Sequence, residues 1–459
     1  MGQRGYITVF LTLLISALLI LVTTLIAVVD LSSARGRSAT ALRSSMSSVR
    51  AEYNRYLFEQ YHMLFLNLNP EGEGSGKLEA LVEERLAENL GEDYTVGEVQ
   101  LTGVTGVMDE GCYEFRKQMK DASLYLVADK GVDLLKEKVG NDTPVTQEEL
   151  DDLDMERDEG KEHEGDKDPR KSIRAAQLAG IAYRILPEDV TFSDEVIDPK
   201  KLPSEGKKGI SLLAMNSGFN DLSRLKQEVS KTGGWMDSAS QEAAGLVYAA
   251  NCFNCLTDEV QEDTVLTLET EYLIAGKSTD AENYKAVIDQ ILVIRTACNF
   301  AYILTDADKM ARMSALATSV TWYFPPAQPA VKYLLAGAWS YIEAVADAYR
   351  LVRGKKVPYL KSGENWITDL DGLYRLEELE DPEEDESGLD YEDYLLILLA
   401  TRMTTAYYRM LDIMQLNVNR NVGEDGVCFE LKDVITAFGM TVDVEFEGHT
   451  IRLTEEIGY

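Results

Sequence analysis

The chain has 459 residues and carries 79 Asp+Glu against 45 Lys+Arg, a formal net charge of −34. So acidic a surface repels phosphate backbones and no basic stripe overrides it, which excludes nucleic acid as a partner. Hydrophobic residues make up 45% of the chain, enough for a sizeable core in about two or three structural units, and five cysteines are too few for a disulfide scaffold.

Tyr6 to Val29, YITVFLTLLISALLILVTTLIAVV, contains no charge, no proline and no glycine. A helix over it spans roughly 36 Å, enough to cross a hydrocarbon core of about 30 Å. Its Thr and Ser hydroxyls can bond back to the helix backbone. Three readings compete. Leu31-Ser32-Ser33-Ala34 offers small residues to a signal peptidase, but the apolar run exceeds a signal peptide's core and only Arg4 supplies the charged start. A buried helix of a soluble protein seldom stays uncharged for so long. The expectation is an uncleaved, single-pass anchor in the cell membrane, with lipid as its partner and Tyr6, Phe10, Leu14, Leu18, Leu21, Leu25 and Val29 as anchor residues. Residues 1–5 form a short tail before it. Arg35, Arg37 and Arg43 follow the span, which by the positive-inside bias would keep the bulk of the chain in the cytoplasm; that bias weakens for long translocated domains.

Leu42, Met46, Val49, Tyr53, Leu57, Tyr61 and Leu64 recur at steps of three or four, predicting a stalk helix over 30–66 with one apolar face. That helix-packing stripe fits partner helices or the chain's own globular part. Residues 67–139 read as a small α+β region: a helix over Leu78–Leu90, strand material at Tyr94–Val96 and Val99–Leu101, then helical spacing from Phe115 to Val139. Residues 140–171 are an acidic linker with few large apolar residues. Asp152 and Asp154 have the spacing that opens a calcium loop, but Arg157 stands where that loop needs glycine.

Residues 172–370 read as a helix-rich domain, with helical stretches at Ile173–Ile185, Ile210–Val229, Ala239–Leu256 and Asn283–Leu304, and another from Pro325-Pro326 to about Val352. Lys332, Glu343, Asp347 and Arg350 argue against a membrane span in the last of these, because charges are costly at mid-bilayer. An acidic loop follows at 371–390. Residues 391–459 read as one helix over Tyr391–Leu416 and then strands at Val427–Leu431, Met440–Phe446 and Thr450–Leu453, with a turn at Glu447-Gly448. The fold class is mainly α with a minor β component (α+β), ending in a small C-terminal sheet.

Chemistry is sparse. Cys252-Phe253-Asn254-Cys255 could be a redox pair, half a zinc site, a local disulfide or two core cysteines. The histidines, His62, His163 and His449, pair with no second CxxC, so no metal or cofactor is expected. Ser–His–Asp and Cys–His arrangements lack support. Glu269 and Glu271 form a carboxylate pair of the kind that chance supplies in so acidic a chain. No catalytic residue is expected, and the protein is not read as an enzyme.

The start, Gly5-Tyr6-Ile7-Thr8-Val9-Phe10-Leu11, resembles the N-terminal segment of TadE/TadG-like pseudopilins of tight-adherence pilus systems. More closely, the chain resembles DUF5702, a membrane-anchored family of Gram-positive bacteria. The matching segments are GYITVFLTLL, AEYNRYLFEQYHMLFL, LETEYLIAGK, ILVIRTACNFAYILTD and YYRMLDIMQLNV. The resemblance implies a non-enzymatic surface or pilus-assembly accessory with an extracytoplasmic bulk and pilus-system or other membrane proteins as partners. Phe10 stands where a prepilin would carry its glutamate, so polymerisation by charge pairing is not expected. The alternative is an extracytoplasmic sensor or ligand-binding domain.

Overall fold

The computed structural model describes residues 3–68, 76–130, 180–207, 238–259, 261, 263–368, 388–422 and 429–459. The expected linker at 140–171, with Asp152, Asp154 and His163, lies outside the described residues. So do the helix expected at Ile210–Val229, Cys428 and most of the acidic loop at 371–390. The chain forms two compact units, one of residues 1–114 with 422–459, the other of residues 115–421.

The first unit is built on helix α1 (Gln3–Arg50), 48 residues long. It holds no proline, and its hydroxyls bond back along the helix, as Thr12 Oγ1 to Val9 O at 2.9 Å and Ser16 Oγ to Thr12 O at 2.8 Å. The stalk expected to run on to residue 66 stops at Arg50. A separate short helix, α2 (Arg55–Tyr61), follows. Asn54 is the reason: its side chain accepts the Leu57 N–H at 3.0 Å and caps α2, a competing use of the backbone that ends α1 first. His62, at φ 55°, closes α2 in the left-handed region.

Strand β1 (Leu66–Asn67), helix α3 (Gly76–Leu90) and strand β2 (Tyr94–Gly106) follow, and the C-terminus adds β3 (Val434–Phe446) and β4 (His449–Gly458). All pairings are antiparallel. β3 is central and pairs with β2, β4 and, at its start, β1. Glu447 (φ 48°) and Gly448 (φ 78°) make the two-residue turn between β3 and β4 that brings Phe446 opposite His449, as the sequence predicts. The strand expected at Val427–Leu431 is not formed where it is described: Leu431–Asp433 is a 3-10 turn. On β3, Phe438, Met440, Val442 and Val444 are buried at a period of two and meet Ala34, Ala41, Leu42, Met46 and Val49 of α1 and Leu78, Val82 and Leu86 of α3 in one core. Arg50 Nη1 donates to Gly458 O at 2.7 Å, tying the end of α1 to the end of β4.

Helix α4 (Asp109–Lys130) leads into the second unit. The remaining helices there are α5 (Ser238–Cys252), α6 (Glu269–Ala275), α7 (Asp280–Thr305), α8 (Ala307–Val320), α9 (Gln328–Leu351), α10 (Tyr391–Ala400) and α11 (Met403–Asn421). Thr279, Asp306 and Asp390 cap α7, α8 and α10 through their side chains. The single helix expected over Tyr391–Leu416 is broken at Thr401-Arg402, where Arg402 Nη1 reaches the Ile274 carbonyl at 3.0 Å. Arg409 joins it on the Leu273 and Ile274 carbonyls at 2.8 and 2.7 Å, so two cations satisfy the C-terminal end of α6. Apart from α1, α7 is the one described helix long and apolar enough to cross a membrane. It packs against α9 instead, with Arg295 and Asn299 buried and paired.

Candidate functional site

Three features could carry function. The first is the exposed half of α1. Phe10, Leu14, Leu18, Leu21, Leu25 and Val29 are all exposed, from 66% at Phe10 to 64% at Val29, and Tyr6 precedes them on the same helix. Burial begins at Ala34 and recurs at Ser38, Ala41, Leu42, Ser45, Met46 and Val49. One continuous helix is therefore bare and apolar over its first half and fixed to a folded core over its second.

The helix-packing stripe goes to that core. Leu42, Met46 and Val49 pack on α3 and the sheet, Leu57 and Tyr61 are buried on α2, and Tyr53 and Leu64 lie half-buried outside any helix. The expected single face is thus divided among several segments, and its α1 portion is not available to partner helices.

The second feature is a set of buried carboxylates in the second unit. Glu269 accepts the Asn417 side-chain amide at 2.8 Å and the Asn254 N–H at 3.1 Å. Glu271 Oε1 accepts the Leu256 N–H and the Tyr391 hydroxyl, both at 3.0 Å, while its Oε2 lacks a hydrogen-bond partner. Asp280 accepts the Ser193 and Thr267 N–H groups at 3.0 and 2.9 Å. Asp412 takes the Ser204 N–H at 2.9 Å and the Tyr272 hydroxyl at 2.7 Å. These side chains latch loop backbone from inside the unit. Burial pushes Glu269 up to about 8 and Glu271 up to about 7 against the hydrogen bonds they accept. Burial likewise raises Asp412 to about 6. The sequence pairs Glu269 with Glu271, but each is occupied with a different loop position, and Asp280 and Asp412 carry no local signal of their role.

The third feature is an open pocket of about 490 Å³, lined by Asp189, Cys255, Asp258, Glu259 and Arg353 among others. Cys255 Sγ and one carboxylate oxygen each of Asp258 and Glu392 lie within 4.8 Å of one another, donor types that could hold a divalent cation. The CxxC does not act as a unit. Cys252 ends α5, whereas the Cys255 N–H is held by Asp258 Oδ2 at 2.7 Å. Both sulfurs are thiols, so the candidate Cys252–Cys255 disulfide is not formed. Burial first, then the Glu271 and Asp258 carboxylates, push the Cys255 thiol far up, so it keeps its proton at neutral pH and is no ready nucleophile. Asp258 was in reach of a sequence reading, three residues from Cys255; Glu392, far along the chain, was not.

Residues 159–446 match the model of a family of unknown function, DUF5702. The chain belongs to DUF5702. The matched stretch of this DUF5702 chain contains α5 to α11 and all of β3, along with LETEYLIAGK, ILVIRTACNFAYILTD and YYRMLDIMQLNV. The helix α1 and the segment AEYNRYLFEQYHMLFL precede it. Among curated proteins and among solved structures, none matches the chain.

Proposed function

We propose that this DUF5702 protein is a single-pass membrane protein without enzymatic activity, a pseudopilin-like accessory of TadE/TadG type that serves surface or pilus assembly. The observation that carries this reading is the abrupt change along α1, from exposed at Val29 to buried at Ala34. An uncharged apolar rod of that length is stable in lipid and costly in water. Because the same helix continues into the core of the first unit, that unit follows directly on the anchor without a linker. The bulk of the chain is extracytoplasmic in this reading, as long domains translocate largely regardless of flanking charge. With the Leu42–Val49 face used internally, partner membrane or pilus proteins meet the exposed half of α1 or the outer surfaces of the units.

Membranes from expressing cells test this directly. The full chain should stay with the membrane through carbonate washing and leave it only in detergent, and protease added to intact cells should remove the bulk of it. Recovery of unprocessed, unaggregated chain in the soluble fraction overturns the anchor; full protection from external protease overturns the topology. Purification from detergent with identification of co-purifying proteins tests the pilus assignment.

The pocket favours a second reading, a sensor or ligand-binding domain. Its lining sets the carboxylates of Asp189, Asp258 and Glu259 against the one cation of Arg353, among apolar Val190, Leu256, Leu268 and Val352, and that surplus of carboxylates suits a cationic ligand. Such a ligand raises the melting temperature with concentration; a panel of cations and amines that leaves it unmoved removes this reading.

A further inference from the structure

Cys255 and Asp258 stand in the loop after α5, and Glu392 in the first turn of α10. The Cys255 sulfur and one carboxylate oxygen of each acid lie within 4.8 Å of one another. Donors around one tetrahedral zinc are roughly 3.5 Å apart, so side-chain movement of about 1 Å closes the set. Asp258 is exposed and Glu392 half-buried, which leaves both room to turn. The open pocket has Cys255 and Asp258 in its lining and gives an ion a path in.

A buried acid is directed at the same place. Glu271 is fully buried, and its Oε2 has no hydrogen-bond partner. Its Oε1 is fixed by the N–H of Leu256, the residue after Cys255, and by the hydroxyl of Tyr391, the residue before Glu392, both at 3.0 Å. The carboxylate is thereby held between the two segments that carry the three donors. Its charge acts on the Cys255 sulfur more strongly than that of Asp258, itself one of the three. A buried carboxylate oxygen without a donor is costly, and a cation beside it removes that cost. We propose that Cys255, Asp258 and Glu392 bind a divalent cation of zinc type, with the unpartnered oxygen of Glu271 turned toward it. Mixed sulfur and oxygen donors select such an ion, whereas calcium takes six to eight oxygens and no thiolate. As the metal–sulfur bond forms, the Cys255 thiol gives its proton to solvent. The bound ion ties the loop after α5 to the start of α10. The proposal rests on the pocket reading and gives its cationic ligand a class.

The full chain in detergent, stripped with chelator, tests it with cobalt(II) chloride and zinc chloride as probes. Cobalt should give a thiolate-to-metal absorption band that saturates at one equivalent; zinc should abolish the band and calcium should not. The band should persist in Cys252→Ser and vanish in Cys255→Ser, and Glu271→Gln should need roughly 10- to 100-fold more cobalt to reach it. No band in the wild type at millimolar cobalt, or a full band in Cys255→Ser, overturns the proposal. Should Cys255→Ser fail to fold, Asp258→Asn at its exposed position decides: weaker cobalt binding supports the site, and binding equal to the wild type overturns it. If amines raise the melting temperature while zinc and cobalt change neither melting nor absorption, the pocket reading stands and the metal site falls.

Discussion

Arg295 and Asp347 face each other with neither side chain reaching solvent, Arg295 Nε and Nη2 both donating to Asp347 Oδ2 at 3.0 and 2.9 Å. Arg295 Nη1 donates further to Tyr359 O at 2.8 Å and to the Tyr394 hydroxyl at 3.0 Å, and Lys361 sits 2.8 Å from Asp347 Oδ1 as an ion pair, that oxygen making no hydrogen bond. Burial works to raise Asp347, but Arg295 and Lys361 outweigh it and hold the carboxyl below its usual value. Removing one partner strands a buried charge, so Asp347→Ala should destabilise the second unit by roughly 3–5 kcal/mol. The double change Arg295→Met/Asp347→Leu should recover much of that. Urea unfolding of the three proteins measures it, and a single variant as stable as the wild type refutes the role given to the pair.

The buried acids give the opposite pH response. Glu269 and Glu271 lie at about 8 and about 7 in the fold against 4.5 ordinarily, and Asp412 at about 6 against 3.8. Between the unfolded and folded values the native state binds more protons, so stability falls as pH rises through that window. The unfolding free energy should be higher at pH 5.5 than at pH 8 by roughly 5 kcal/mol, and the melting temperature with it. Self-repulsion of the net charge pulls the same way, so the decisive comparison is Glu269→Gln and Glu271→Gln, each of which should flatten the slope. An unchanged slope in both assigns the effect to net charge alone.

What the sequence makes legible is what is local. The uncharged run of α1 and the Glu447-Gly448 turn are written in adjacent residues, and α7 shows in the spacing of Val287, Ile291 and Ile294. What it hides is what depends on distant partners. Val99 and Leu101 read as strand, but nothing beside them says that they pair with Val442 and Met440. Asn54 is one polar residue in an otherwise helical pattern, yet its capping bond ends α1 and divides the expected stalk. Asp347 looks, in sequence, like a charge that merely rules out a membrane span, and Arg295 carries no signal of a partner; their pairing makes both part of the core. Cys252 and Cys255 have the spacing of a unit, and the end of α5 between them removes it.

The internal use of the α1 stripe can be tested against the idea that it serves a partner. Met46 is 1% exposed and packs in the core shared with α3 and β3. Met46→Ala should cost about 2–5 kcal/mol of first-unit stability through the cavity it leaves, seen as faster amide exchange in β3 and β4. Membrane association should not change, since the residues before Asp30 are untouched. Lost partner capture with normal exchange would instead give the stripe to an interface.

Thiol reactivity separates the two cysteines of the CxxC. Cys255 is buried, its sulfur lies 3.2 Å from Thr257 Oγ1, and burial with the Glu271 and Asp258 carboxylates keeps it protonated. Only the thiolate is alkylated, so at pH 8 under native conditions Cys255 should resist iodoacetamide while the half-exposed Cys252 reacts. Mild oxidation should leave no Cys252–Cys255 bond in peptide mapping, because forming one requires the Cys255 backbone to leave Asp258. Denaturant should equalise the two rates. Changing Glu271 to Gln removes the stronger of the two carboxylate effects and should speed Cys255 modification without exposing it, which distinguishes electrostatic suppression from simple burial. A disulfide formed readily in the native protein, or equal native rates at both sulfurs, contradicts this placement of the loop after α5.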